Sequence, residues 1–314
     1  MSLNIRDFVF EETVRKGKNY YIYKVSLRNA SKDDQSYTRR TLLKIQRITD
    51  EKALEEEIRI INIRMQLDSE AIRKVYGYSI FSLNEKKYLA VHYEKDEITL
   101  EDWVTNYWAP NIFNHRVLWK LAIRSLEALK YIQEKKLYLL KFDPSTILME
   151  MLTHDNGLFK LEFFGELQVP DKIPKIDFGE FSPPETDQGQ DIYKSYVFSF
   201  GLIMLWCVLK CGSEKDWRPD FYLNTVENQK ALRTLCKSTV DYGQTENFPE
   251  FLSKMLDYDI KKRLDPKEVW ADGHEDKQFL KTVYDESDEA EIQQEKKKAE
   301  AENLKKQEIS TTKI

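Results

Sequence analysis

The stretch "LKYIQEKKLYLLKFDPSTIL", Leu129–Leu148, decides how this chain is read. It opens as the end of a long amphipathic helix, "NHRVLWKLAIRSLEALKYIQEKK". On that helix Leu118, Leu121, Ala122, Ser125, Leu129 and Ile132 mark one inner face. It closes as a short loop in which Lys141 stands two residues before Asp143. That order of charges permits a local ion pair, and it sets the chemical question pursued below.

Upstream of this stretch the chain reads mainly as strands. "DFVFEETV" and "YYIYKVSL" are rich in aromatic and β-branched residues, and "RKGKN" between them reads as a hairpin turn. "TLLKIQ" is a third strand. A helix follows, capped by Thr49 or Asp50, with Leu54, Ile58, Ile61 and Met65 spaced for one face. "VYGYSIF" and "KYLAVHY" complete a five-strand set with one inserted helix. Downstream the texture becomes helical: "VFSFGLIMLWCVL", then segments containing "FPEFLSKMLDYD" and "DPKEVW". Strands first and helices after predict an α+β, bilobal arrangement. The expected boundaries are 1–94 for the small lobe, 95–284 for the large lobe and 285–314 for a charged helical or disordered tail.

Composition narrows the classes further. Of 314 residues, 41% are apolar, enough for a sizeable core, and 33% are charged, above the roughly 25% usual for soluble proteins. A net charge of −5 argues against a nucleic-acid binder, although a local basic patch stays open. Cys207, Cys211 and Cys236 form no CxxC and no disulfide framework, and the four histidines show no ligand spacing. The N-terminal "MSLNIRDFVFEE" has no basic stretch followed by an apolar run, so no secretory signal is expected. The apolar run Val197–Leu209 is too short to cross a bilayer and predicts a buried core helix. A soluble, cytoplasmic protein with no membrane contact is the expectation.

The order of these landmarks resembles the eukaryotic protein kinase fold over about residues 8–275. "TLLK" resembles the third-strand lysine motif, with Lys44 as its lysine, and "LEEEIRIINIRMQ" the regulatory helix, with Glu57 as its glutamate. "LAVHYEKDEITLEDWV" resembles the inter-lobe hinge, with Val91 at the gatekeeper. The opening stretch is similar to the helix and catalytic loop, "KLEFFGE" to the metal-binding segment, and "SPPE" to the segment that closes the activation loop. "YVFSFGLIMLWCVL" and "LDYDIKKRLDP" resemble the central helix and the late arginine motif.

The resemblance also shows what is replaced. A protein kinase holds ATP and magnesium and sets a hydroxyl beside a carboxylate base. Here the base position carries Lys141, an ammonium that does not accept a proton near neutral pH. The position of a phosphate-balancing lysine carries Asp143. The metal-binding aspartate and asparagine positions carry Phe163 and Thr146. Phe163 offers no oxygen to a hard cation. The glycine-loop positions carry Arg15, Gly17 and Tyr20, and Leu42 replaces a small residue over the adenine site. Lys44 and Glu57 remain. They read first as a salt bridge between strand and helix, with ATP contact as the alternative. By resemblance Ile61, Leu139 and Phe164 belong to the hydrophobic column between the lobes, and Glu185 and Arg263 brace the large lobe. Tyr196 stands where an aspartate normally anchors the catalytic loop, so a differently seated loop is expected. In "VPDKIPKIDFGEFSPP" four prolines and the single hydroxyl of Ser182 predict a rigid segment not switched by phosphorylation.

The reading that follows is a pseudokinase without cofactor or metal. It would act as a scaffold, allosteric partner or architectural subunit, binding proteins such as an active kinase or a cytoskeletal or ciliary assembly. The alternatives are a nucleotide sensor keeping Lys44 and Glu57 for binding alone, and an atypical transferase using Lys44, Asp143 or Glu162, for example moving AMP.

Overall fold

The computed structural model describes residues 4–28, 41–94, 98–106, 115–153, 156–162, 165–167, 176–185, 191–210, 220–242 and 244–270. The small lobe is an antiparallel sheet of β1 (Phe8–Lys16), β2 (Tyr20–Leu27), β3 (Thr41–Arg47), β4 (Val75–Leu83) and β5 (Lys86–Tyr93), in the order β1-β2-β3-β5-β4. The β1–β2 hairpin turns where the sequence predicts it, and the Gly17 N–H donates to the Tyr20 carbonyl at 2.9 Å. Strand alternation gives the sheet two buried faces. Leu42, Val91 and Tyr93 join Leu54 and Ile61 of helix α1 (Glu51–Met65) on one face. Phe8, Val25, Leu43 and Ala90 pack on the other. Asp50 starts α1 by accepting from the Lys52 and Ala53 amides, which settles the choice of cap.

The larger, mainly helical part is built on α3 (His115–Glu134) and α4 (Ile192–Lys210). The predicted inner face of α3 is buried throughout, Ser125 included. Trp119 of α3 meets Phe248 and Phe251 of α6 (Phe248–Met255). Helix α4 begins five residues earlier than the apolar run, because Asp191 accepts from the Tyr193 amide and starts it there. Its window Ile192–Leu209 is long and apolar enough to span a membrane by length and composition, yet 83% of it is buried inside the protein, as befits a core helix. At Gly201 an added Cβ would lie 2.9 Å from Leu256 Cδ2, so only glycine lets the chain after α6 approach this closely. The remaining helices are α2 (Leu100–Asn106), α5 (Val226–Ser238) and α7 (Pro266–Val269).

Two small sheets lie between the helices. β7 (Leu137–Leu139) pairs with β10 (Gly165–Leu167), and β8 (Ile147–Thr153) lies between β6 (Ile98–Thr99) and β9 (Asn156–Leu161). None of these was expected from the sequence. β6, β7 and β10 are two or three residues long, too short to show a period, and β8 and β9 show no clean alternation of apolar and polar residues. Of the expected column, Ile61 is buried in the small lobe and Leu139 in the large one, whereas Phe164 lies outside the described residues. Residues 271–314, which include the tail expected at 285–314, lie outside them as well.

Glu185 and Arg263 form a buried ion pair. Two guanidinium nitrogens of Arg263 meet the two carboxylate oxygens of Glu185, the second at 2.9 Å. The rest of the guanidinium donates to the Asp257 and Lys194 carbonyls and lies 4.8 Å from the Phe198 ring centroid. Ser195 donates to Glu185 at 2.9 Å. A fully enclosed guanidinium left without its carboxylate is costly. Glu185→Ala is expected to lower the unfolding free energy by about 3–5 kcal/mol in urea titrations; a loss below about 1 kcal/mol would refute this bracing role.

Candidate functional site

The cleft between the two parts is organised by a buried carboxylate, Glu162, at the end of β9. Arg64 of α1 and Arg73 ahead of β4 both donate to it, Arg73 at 2.6 Å. Both guanidinium groups also face the Tyr93 ring, at 5.1 and 4.9 Å from its centroid. Burial pushes the Glu162 carboxyl up, but the charges and hydrogen bonds of Arg64 and Arg73 outweigh this and hold it down at about 2. Two cations around one anion leave a local excess of positive charge. Glu162 is the carboxylate closest in sequence to the position assigned to the metal ligand, and its oxygens are engaged by arginines. Phe163 itself lies outside the described residues.

The sequence placed Lys141, Asp143 and Thr146 in one loop, and the structure brings them together in a hydrogen-bonded turn. Lys141 Nζ lies 3.0 Å from Asp143 Oδ2 and donates to Ser145 Oγ at 2.8 Å. Asp143 Oδ1 accepts from the Ser145 amide at 2.9 Å and from its hydroxyl at 2.6 Å. Thr146 Oγ1 donates to the Asp143 carbonyl at 2.7 Å and accepts from the Asp143 amide at 3.2 Å. The Thr146 carbonyl then accepts from the Glu162 amide at 2.8 Å. Reversing the charges therefore yields a self-contained turn, with Asp143 as its capping residue and with Thr146 committed to it.

The anchor beneath this loop is a tyrosine where the resemblance implies an aspartate. The Tyr196 hydroxyl of α4 accepts from the Leu139 amide at 2.9 Å and donates to the Leu139 carbonyl at 3.0 Å. A hydroxyl can both give and receive, so one tyrosine satisfies both backbone groups, and the loop is tied to α4 without an aspartate. Burial and the Tyr193 and Tyr138 hydroxyls hold the Tyr196 proton on, overriding the pull of the Leu139 backbone.

At the small-lobe side, Lys44 Nζ meets Glu57 Oε1 at 3.3 Å, and Gln46 Nε2 meets Glu57 Oε2 at 3.2 Å. The Tyr20 ring centroid lies 5.6 Å from the Lys44 ammonium. The same ring packs on the hairpin turn: a Cβ at Gly17 would come within 2.2 Å of Tyr20 Cε1. The surviving glycine thus makes room for Tyr20. Deeper in, Leu42 pairs with Tyr93 and Lys44 with Val91 across β3 and β5. Leu42 is 3% exposed and Val91 1%. These side chains contact one another in the lobe core.

Sequence reasoning passed over several contributors. Arg64 falls seven residues after Glu57, which places it on the same face of α1; that spacing was the available signal. Arg73, in a loop, gave none. The tripeptide Asp177–Phe178–Gly179 copies the metal-binding motif in letters but is used otherwise. Asp177 bridges Lys141 in parallel, the Phe142 amide donates to its carbonyl, and its side chain accepts from the Gly179 amide. Gly179 has φ +54°, a left-handed turn that favours glycine. Among the described residues no cluster of three or more His, Cys, Asp or Glu side chains is arranged to hold a metal ion.

Comparison with known proteins agrees with this geometry at the level of fold. A crystal structure of a kinase domain superposes with a TM-score of 0.56 at 16% identity, covering 86% of this chain and 95% of that one. The chain therefore has a protein-kinase-like, bilobal fold. No protein-family model matches the sequence, and no curated protein does so either.

The depressed Glu162 value fixes a pH dependence. Its folded-state value lies below the ordinary 4.5, so the stability it confers is complete above pH 4.5 and is lost as pH falls toward 2. Over that window unfolding free energy is expected to drop by about 3 kcal/mol from this group, and Glu162→Gln is expected to remove that part of the slope. Parallel acid-denaturation slopes for the two proteins would overturn the assignment. Tyr196→Phe leaves the Leu139 amide and carbonyl unpaired in the core and is expected to cost about 1–3 kcal/mol in the same assay.

Proposed function

We propose that this protein is a catalytically inactive member of the kinase-fold class, a pseudokinase, that acts by binding other proteins. The observation that carries the reading is Glu162 clasped by Arg64 and Arg73. The carboxylate beside the metal position is neutralised, and the local charge is that of guanidinium groups, which repel magnesium. Lys141 at the base position offers protons instead of taking them, and its partner Asp143 is held in the turn. Tyr20 over Lys44 places an aromatic ring beside the ammonium that would otherwise meet phosphate. What such a chain presents is a fixed surface. Its partner would be a protein, an active kinase or a subunit of a cytoskeletal or ciliary assembly, met in the cytoplasm without nucleic acid or membrane.

A second reading is a nucleotide sensor, and the intact Lys44–Glu57 pair favours it. One series of measurements separates these readings. With millimolar Mg·ATP, no rise in melting temperature and no transfer of labelled γ-phosphate or AMP are expected. A melting shift that Lys44→Ala abolishes, without transfer, would establish the sensor. Phosphoryl or AMP transfer that Lys44→Ala abolishes would overturn the proposal.

A further inference from the structure

Helix α5 offers two unlike faces. Asn228, Leu232 and Cys236 are buried, and α5 packs beside α6. The opposite side carries Val226, Lys230, Arg233 and Lys237, spaced four, three and four residues apart, which aligns them in one stripe. This stripe lines an open hollow of about 280 Å³. Val226 is 83% exposed, and Tyr222 and Leu223 beside it are exposed too. Lys230, Arg233 and Lys237 take part in no salt bridge among the described residues. In a chain of net charge −5, three aligned cations outside any described salt bridge make a local positive stripe, with Glu227 the one carboxylate on the same helix. The order along the stripe is apolar first, then basic.

The same chain carries the complementary order once. "VYDESDEAE", Val283–Glu291, is two apolar residues followed by five carboxylates in seven positions. We infer that this segment docks along α5 of its own molecule, with Val283 and Tyr284 against Tyr222, Leu223 and Val226, and Asp285–Glu291 against Lys230, Arg233 and Lys237. The tether is long enough: from Trp270, thirteen residues span at most about 45 Å, against a radius of gyration near 19 Å for a compact unit of this size. Exposed ion pairs contribute about 0.2–1 kcal/mol each, too little to join separate molecules. A tethered segment, however, is present at an effective concentration in the millimolar range. The contact is therefore intramolecular, weak and sensitive to salt. It guards the basic stripe against other acidic ligands.

The test is zero-length carbodiimide cross-linking of the full chain with peptide mapping. Links from Lys230 and Lys237 to carboxylates of Asp285–Glu291 are expected, falling several-fold at about 0.5 M salt. Lys230→Glu with Arg233→Glu and Lys237→Glu is expected to abolish them. Adding Asp285→Lys, Glu286→Lys, Asp288→Lys and Glu289→Lys is expected to restore cross-linking with reversed polarity. Lys230, Arg233 and Lys237 are exposed, and melting temperatures of all variants serve as the control for folding. Absence of α5-to-tail links in the unmodified chain, or failure of the charge swap to restore them, would overturn the inference. So would links that join labelled to unlabelled chains in a mixture, which would place the tail on a second copy.

Discussion

The carboxylate of Glu162, held between two guanidinium groups, is the constraint on which the cleft depends. Arg64 belongs to helix α1 and Arg73 to the connection before β4, whereas Glu162 ends a strand of the larger part. The ion triplet therefore joins three segments far apart in sequence, and Tyr93 at the end of β5 shields it on its aromatic face. Buried charges are tolerated only when paired and hydrogen-bonded. Moving α1 away from the cleft floor would strand at least one of them. The arrangement thus opposes separation of α1 from the cleft floor, and it uses the carboxylate that precedes, in sequence, the position the resemblance assigns to a metal ligand.

Four of the replaced residues, Lys141, Asp143, Tyr196 and Tyr20, have local partners. Lys141 and Asp143 neutralise one another and cap a turn with Ser145 and Thr146. Tyr196 takes over both backbone groups of Leu139. Tyr20 fills the space above Gly17 and leans on Lys44. In each case the frame of the loop is maintained by hydrogen bonds or packing that need no ligand. Buried polar atoms of the loop need satisfying whatever residue stands beside them, and these side chains do that.

Most of the architecture was legible from pattern. The five strands of the small lobe, α1 with its cap, α3 and the core helix α4 all follow from long apolar periods and local caps, which are properties of neighbours in sequence. Glu185 and Arg263 were legible through their motifs. The site was legible only in part. The spacing of Lys141 and Asp143 left a local ion pair open, but the clasp on Glu162 depends on contacts across 89 and 98 residues, which no local pattern encodes. Tyr196 was legible as a changed anchor, but not that its phenol would hold the Leu139 backbone by both donating and accepting. The Asp177–Phe178–Gly179 tripeptide shows the converse, a motif in letters whose backbone is bridged to the loop at Lys141.

The central claim is that Glu162 serves the fold and not a metal. Manganese is a spectroscopic stand-in for magnesium with the same preference for oxygen ligands. Electron paramagnetic resonance of Mn²⁺ with ATP tests the claim most directly. The account predicts that the free Mn·ATP signal stays unchanged when the protein is added in excess. A protein-bound manganese signal that disappears in Glu162→Gln, while the variant remains folded, would contradict it.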